Sequence, residues 1–295
     1  MAENAILRYP GQDVWEGLHL PAYFSIETTT QCPANCIMCP RSKVLQTRKN
    51  KLMPDWMIDK ILDEIDWECF INWEWINDPL CDDRIYGFMK RANSKGIANW
   101  ITTTGYLLNE ERAYRLLESN TDIIVFSIDT LNHELYKYIR GLPLSVVLEN
   151  VERFMDIKHK TGSTAEVWIS KIQLPITVSE GWEEFKKFFN ELGIKKVQFP
   201  SYRLRGGDLD KEAIPCVPDS RSCYFIENEM SITTDGNIIL CPCEAGAWVD
   251  PVSNISDRPL REAWFTQKRI DMINLVRTQG LRANEFCREV EGFPE

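Results

Sequence analysis

No apolar run in this 295-residue chain approaches the length that crosses a bilayer, and the opening MAENAILRYP has no apolar core of a secretory signal. A membrane protein and an exported one are therefore not expected, and a cytoplasmic location is. Basic excess is also lacking. The net charge is −10 and no basic stripe stands out, which argues against a nucleic-acid footprint. Hydrophobic content of 44% and charged content of 26% are those of a globular protein. The acidic balance suits a cationic small substrate, and equally a surface that simply stays solvated. Cysteine is what the chain does not lack. There are ten, unevenly placed: three within eight residues near the start, five from Cys216 to Cys287. Without a secretory signal, such clustering points to metal or redox chemistry rather than disulfides.

The early group is Cys32-Pro33-Ala34-Asn35-Cys36-Ile37-Met38-Cys39, spaced C-x3-C-x2-C after a predicted strand at 22–28. One turn of loop can aim all three sulfurs at a point. Three ligands do not close a structural zinc site, which takes four. They can hold three irons of a cubane and leave the fourth open, since iron–sulfur clusters are held by cysteine thiolates. A zinc site with a remote fourth ligand and three unrelated core cysteines are the competing readings.

From there to residue 200 strand and helix alternate. Strands are predicted at 22–28, 69–76, 97–103, 122–129, 165–174 and 196–200, and helices from 54, at 82–95, 109–119, 145–160 and 179–191. Such alternation argues for parallel β/α units. Ligands of these folds meet the C-terminal ends of the strands. At those ends stand Asn77-Asp78-Pro79, Thr102-Thr103-Thr104-Gly105, Ser127-Ile128-Asp129 and then Tyr138-Ile139-Arg140-Gly141. The second strand carries Asn72, Trp73, Glu74 and Trp75. Its inward set is either Asn72/Glu74/Ile76 or Ile71/Trp73/Trp75. An acid beside aromatics suits an amino sugar, and it also suits a tryptophan-rich core with exposed acids. The basic stretch ending at Lys51 reads most simply as a solvated loop. Trp15 and Leu18 suit an arm, residues 1–20, tucked against the body.

Taken in order, these motifs resemble the radical S-adenosylmethionine (SAM) enzymes. The resemblance implies a partial (β/α)6 TIM-like barrel over residues 21–205. It implies a [4Fe–4S] cluster on Cys32, Cys36 and Cys39, with SAM chelated at the open iron and cleaved on reduction to a 5′-deoxyadenosyl radical. SAM would be held by Asn77, Asp78, Thr104, Ser127, Asp129 and Arg140. Where this family usually has Gly-Gly-Glu-Pro, Asn77 and Asp78 replace a glycine and the glutamate. A flavodoxin- or ferredoxin-type electron donor is also implied.

After Gly207 the alternation stops. Cys223, an expected strand at 224–233, the turn Asp235-Gly236, a strand at 237–240 and Cys241 follow, and Asp-Gly between apolar runs signals a hairpin. A helix is predicted at 260–277, with Cys287 beyond it. The C-x17-C spacing, with Gly-x4-Cys at its end, resembles the auxiliary-cluster module of SPASM and twitch proteins, here residues 206–295. That likeness implies a second [4Fe–4S] cluster with Cys223, Cys241 and Cys287 as ligands. The family's closing cysteine is replaced by Val290, so Cys243 or Cys216 is left either as fourth ligand or as a hydrogen-atom donor to a substrate radical. Cys69 and Cys81 read as structural. The expected function is hydrogen abstraction from a small polar substrate such as an amino sugar or aminocyclitol, ending in epimerisation or dehydrogenation. The alternative is maturation of a ribosomal peptide.

Overall fold

A computed structural model describes residues 14–15, 18–41, 48, 50–177, 179–200, 220–242, 251–284 and 287. Cys216 and Cys243, the two expected hydrogen donors, lie outside the described residues, as does most of the expected basic loop. The core is a parallel sheet of six strands: β3 (Tyr23–Ile26), β4 (Phe70–Asn72), β5 (Ala98–Thr103), β6 (Ile123–Ser127), β7 (Glu166–Ser170) and β8 (Lys196–Gln198), paired in that order. Among the described residues the sheet stays open, ending at β8, so the expected partial barrel is the observed fold. Two short strands, β1 (Val14–Trp15) and β2 (Leu18–His19), form an antiparallel pair ahead of it.

Helices α1 (Asp55–Glu64), α2 (Ile85–Ser94), α3 (Glu110–Glu118), α4 (His133–Arg140), α5 (Leu144–Thr161) and α6 (Trp182–Glu191) cover the outer face. Side chains alternate across a strand. Phe24, Ile26, Ile71, Ile101, Ile124, Phe126 and Ile169 are wholly buried in one core with the helices. Their alternates, Ser25, Asn72, Thr102, Ser127 and Ser170, fall on the inner face and are polar. Asn109 and Asn132 cap α3 and α4 by accepting from Arg112 N and Leu135 N. Helix α4 is not in the sequence expectation, which ran from the fourth strand directly to the helix at 145–160.

The C-terminal part differs from expectation in one respect that shapes the site. Residues 224–228 form a short helix, α7 (Tyr224–Asn228), and only β9 (Glu229–Ile232) is strand. β9 and β10 (Asn237–Ile239) make the expected hairpin around Gly236, whose φ is 76°. β9 also pairs in parallel with β3, from Tyr23↔Glu229 to Ile26↔Ile232. With β11 (Ser253–Asn254) on β10, the barrel sheet becomes nine-stranded. The expected helix at 260–277 is two, α8 (Leu260–Trp264) and α9 (Gln267–Gln279). Buried Trp264 donates to His19 O at 2.7 Å, tying this end to the start of the barrel.

One ion-pair network fastens the hairpin. Glu27, wholly buried, pairs with Arg48 and accepts Thr234 N at 3.1 Å. Arg48 also meets Thr234 Oγ1 at 2.8 Å and Asp235 at 3.3 Å, and Lys51 meets Asp235 at 2.8 Å. At these two positions the solvated reading is corrected: Arg48 is buried and paired, and the partly exposed Lys51 is paired as well. Burial pushes the Glu27 carboxyl up, and Arg48 opposes the shift. Replacing Arg48 by Met leaves a buried carboxylate uncompensated, so a loss of about 3–5 kcal/mol is expected in urea unfolding. Asp235→Asn, at a half-exposed site, is expected to cost no more than about 1 kcal/mol. Equal losses from both would show that burial does not set the strength of this network.

Candidate functional site

The cysteine loop hangs between strand ends. Thr30 N donates to Lys51 O at 3.0 Å, Asp78 N to Gln31 O at 2.9 Å, and Asn35 N and Ile37 N to Arg140 O and Ile139 O, each at 2.9 Å. The last two bonds use carbonyls at the C-terminus of α4, which have no partner within the helix. Gly141 ends α4 in the left-handed region at φ 71°, and a β-carbon there would stand 3.4 Å from Asn35 Cβ and N. The sequence Tyr138-Ile139-Arg140-Gly141 thus builds the seat on which the loop rests.

Cys32, Cys36 and Cys39 all line one cavity of about 470 Å³ at the C-terminal ends of the strands. Burial pushes the Cys32 thiol up, reinforced by Asp78, and pushes Cys36 up against the pull of Arg140. Arg140 Nη1 points at Cys36 Sγ, 3.7 Å away. Among the described residues no three His, Cys, Asp or Glu side chains converge as ligands of a single ion do. Ligands of a cubane each meet a different iron, so three cysteines that line one cavity without converging on a point fit that group.

Of the expected SAM ligands, Asn77, Thr104, Ser127 and Arg140 line the cavity. Asp78 and Asp129 are buried and lie behind the lining. Asp78 accepts from Thr103 Oγ1 at 2.9 Å, Thr104 Oγ1 at 2.6 Å, Thr104 N at 3.0 Å and Leu80 N at 3.1 Å. Asp129 takes Arg140 Nε at 2.6 Å and Ile172 N at 3.0 Å. Both carboxylates engage protein donors and hold neighbours in place. The Arg140 fork, expected to face a ligand carboxylate, is anchored on Asp129. Burial works to lower its pKa, yet Asp129 and Cys36 hold it well above the ordinary value.

The choice on the second strand resolves. Asn72 and Glu74 line the cavity. Trp73 is buried on the helix side, stacked 6.1 Å from Phe88, with Nε1 donating to Asn99 Oδ1 at 2.8 Å. Trp75 and Ile76 reach the cavity as well, because the strand ends at Asn72 and alternation lapses. The sequence reading did not single out Trp100, Ser170 and Gln198 as lining residues. Ser127, Ser170 and Gln198 are cross-strand neighbours in register, so a period of two carried along each strand would have found them. Three side-chain atoms of lining residues, Asn72 Oδ1, Asn77 Nδ2 and Trp100 Nε1, are buried with no partner among the described residues. Buried polar atoms are normally satisfied, so these suit a polar ligand.

Cys223, Cys241 and Cys287 all contact a second apolar cluster, with Ile226, Leu240, Ile270, Ile273, Val276 and Leu281. This cluster adjoins the main cavity. Phe225 touches both, and Trp75 Nε1 donates to Pro242 O at 3.2 Å. Cys69 is buried in the barrel core, and burial with Asp78 nearby pushes Cys81 up to about 12.

The Radical SAM superfamily model matches residues 26–192, more than half of the chain. The chain belongs to the radical SAM superfamily. A structure of BtrN in complex with AdoMet and 2-DOIA superposes with a TM-score of 0.60 at 16% identity, covering 92% of this chain and 93% of that chain. Streptococcus suis SuiB bound to precursor peptide SuiA gives 0.68 at 15%, covering 92% and 70%. The anSMEcpe structure with bound AdoMet gives 0.67 at 17%, covering 92% and 85%. At these identities the likeness speaks for the fold. A curated relative, the tungsten-containing aldehyde ferredoxin oxidoreductase cofactor-modifying protein of Pyrococcus furiosus, is 26% identical over 147 residues. The match spans 48% of this chain and 40% of that relative.

For this radical SAM chain the seat at Gly141 makes a specific expectation. Gly141→Ala forces a left-handed alanine, costing about 1–2 kcal/mol, and crowds Asn35. Iron bound after anaerobic reconstitution should fall while the circular dichroism stays that of the parent. Unchanged iron content and melting would show that the contact does not place the loop.

Proposed function

We propose that this chain is a radical SAM enzyme that removes a carbon-bound hydrogen from a small molecule carrying amine and hydroxyl groups, such as an amino sugar or aminocyclitol. The carbon is then inverted or oxidised. The carrying observation is the cavity itself, whose lining joins the three cysteines to hydroxyls and amides, the Glu74 carboxylate, the Arg140 guanidinium and the rings of Trp75, Trp100 and Phe225. A [4Fe–4S] cluster on Cys32, Cys36 and Cys39 would supply reductive cleavage of SAM to a 5′-deoxyadenosyl radical. Asn77, Thr104 and Ser127 present polar groups to SAM, and Asp78 fixes the backbone around Thr104. Arg140, held by Asp129, places positive charge beside Cys36, where thiolate character must be favoured.

Residues 21–205 form the catalytic core in this reading, behind an arm at 1–20. Residues 206–295 serve an auxiliary [4Fe–4S] cluster with Cys223, Cys241 and Cys287 as ligands, supported by their shared apolar cluster. Such a group supplies a one-electron acceptor next to the cavity. Oxidation of a carbinol radical needs that acceptor and a base for the hydroxyl proton. Inversion needs a thiol that returns a hydrogen atom to the opposite face, a role for Cys243 or Cys216. A flavodoxin- or ferredoxin-type donor in the cytoplasm fits the same reading, and among the described residues no helix is long and apolar enough to cross a membrane. BtrN, with 2-DOIA bound, shares the fold across nearly its whole length. Maturation of a ribosomal peptide is the second reading, favoured by the SuiB fold match with SuiA bound.

Reduced, anaerobically reconstituted protein with SAM should release 5′-deoxyadenosine, and Cys36→Ala should abolish it. Retained release would sink the assignment of the loop. Two cubanes predict about eight irons per chain, one predicts about four. Turnover of an amino sugar and aminocyclitol panel in D2O separates the outcomes. Deuterium at an inverted carbon marks epimerisation, and a ketone without uptake marks dehydrogenation. Turnover of a peptide and of no panel member would favour the second reading.

A further inference from the structure

We propose that Lys171 and Glu180 are a positioning pair for Arg140, and through it raise the reduction potential of the cluster on Cys32, Cys36 and Cys39, a role that rests on the cluster reading above. Lys171 follows β7 and is 1% exposed. Its neighbours Ser170 and Ile172 line the cavity, while Lys171 turns the other way, toward α6. A lysine ammonium only donates. Here it donates to Asp129 O and to Glu180 Oε2, the latter at 2.8 Å, and stands 4.8 Å from the centre of the Phe185 ring. The other oxygen of Glu180 takes the Thr130 hydroxyl. The pair therefore grips two consecutive residues, Asp129 by its carbonyl and Thr130 by its side chain.

From that grip two routes lead to Arg140. Asp129 Oδ2 holds Arg140 Nε at 2.6 Å. Thr130 Oγ1 accepts Asn132 N at 2.9 Å, and Asn132 caps α4, the helix that Arg140 ends. Both the side chain of Arg140 and the helix under it are thus referred to Lys171 and Glu180. Arg140 Nη1 then stands 3.7 Å from Cys36 Sγ. Hydrogen bonds to the sulfurs and local charge tune the potential of an iron–sulfur cluster. A cation at a ligating sulfur favours the reduced cluster, which carries one more negative charge. A buried ion pair adds little net stability, so packing alone gives no reason for a lysine here. Without the ammonium the buried Asp129 carbonyl loses its donor, the segment shifts to find another, and Arg140 moves with it.

The test is an anaerobic redox titration of the reconstituted full chain, following the electron paramagnetic resonance signal of the reduced cluster that Cys36→Ala removes. Lys171→Met should lower the equilibrium constant for reduction about tenfold, a fall of about 59 mV for one electron. Glu180→Gln separates position from charge. It removes a negative charge, so the field of the pair alone predicts a rise, whereas a loosened grip predicts a fall, and a fall is expected. Arg140→Lys keeps a cation for Asp129 but has no second nitrogen to reach Cys36. In that background Lys171→Met should change nothing further, because the two act in series. An unchanged potential in both single variants overturns the role, and so does a rise in Glu180→Gln or a full further fall in the Arg140→Lys background. Glu180 is partly exposed, so its variant carries the test if Lys171→Met does not fold. A parent without any signal that depends on Cys36 refutes the cluster and the role together. A signal that is present but unmoved by the variants refutes the role and leaves the cluster standing.

Discussion

The seat of the cysteine loop depends on the junction of Asn35 with Arg140. Arg140 does three things at once. Its carbonyl takes the loop's N–H, its Nε is held by Asp129, and its Nη1 approaches Cys36. Asp129 follows β6 directly, and Ile172, which donates to it, follows β7 closely. A single buried ion pair therefore refers the loop to two barrel strands and one helix end. Buried pairs of this kind add little to net stability, but removing one partner is strongly unfavourable. The junction is best understood as a positional device that keeps Cys36 where the strand ends converge.

The cavity follows from the same economy. The barrel strands give one set of apolar side chains to the helices, and their inner face mixes short polar residues with the ring cluster of Tyr23, Trp100 and Trp168, so part of the interior is packed and part is left as the cavity. Ser25, on that inner face, meets Glu229 of β9 at 2.6 Å, showing that the hairpin contributes to the wall as well as to the edge. Phe225 lines the cavity with Trp75 and also packs on the apolar cluster of Cys223, Cys241 and Cys287. What distinguishes this chain from the usual pattern of its family is the second strand end, where Asn77 and Asp78 stand in place of glycine and glutamate. Asp78 turns back into Thr103 and Thr104, and the lining there is carried by Asn77.

The cysteine spacing and the strand–helix alternation were legible because both are local. Three thiols in eight residues name their own partners, and each β/α unit carries its period within about thirty residues. Asn109 was legible as a cap for the same reason. What escaped depends on distant partners. Arg48 looks like one cation in a solvated loop until Glu27 and Asp235 are beside it. Asp78 and Asp129 look like ligand-facing acids until the hydroxyls, amides and guanidinium that claim them are seen. The helix at Tyr224–Asn228 was misread because Tyr-Phe-Ile favours strands, and propensity yields to tertiary packing. The split after Trp264 leaves Thr266 ahead of α9 in an extended backbone conformation, with no capping bond from its hydroxyl.

The pairing of β9 with β3 has a consequence for biosynthesis. The first barrel strand leaves the ribosome some two hundred residues before its neighbour does. Until then β3 is an edge, with an unpaired row of backbone groups, in a sheet whose helices already cover one side. Contacts of such sequence separation form late and slowly. The nascent barrel passes through a stage in which the strand ahead of the cysteine loop is paired on one side only, with β4. The order of synthesis makes the C-terminal hairpin the last addition to that edge of the sheet.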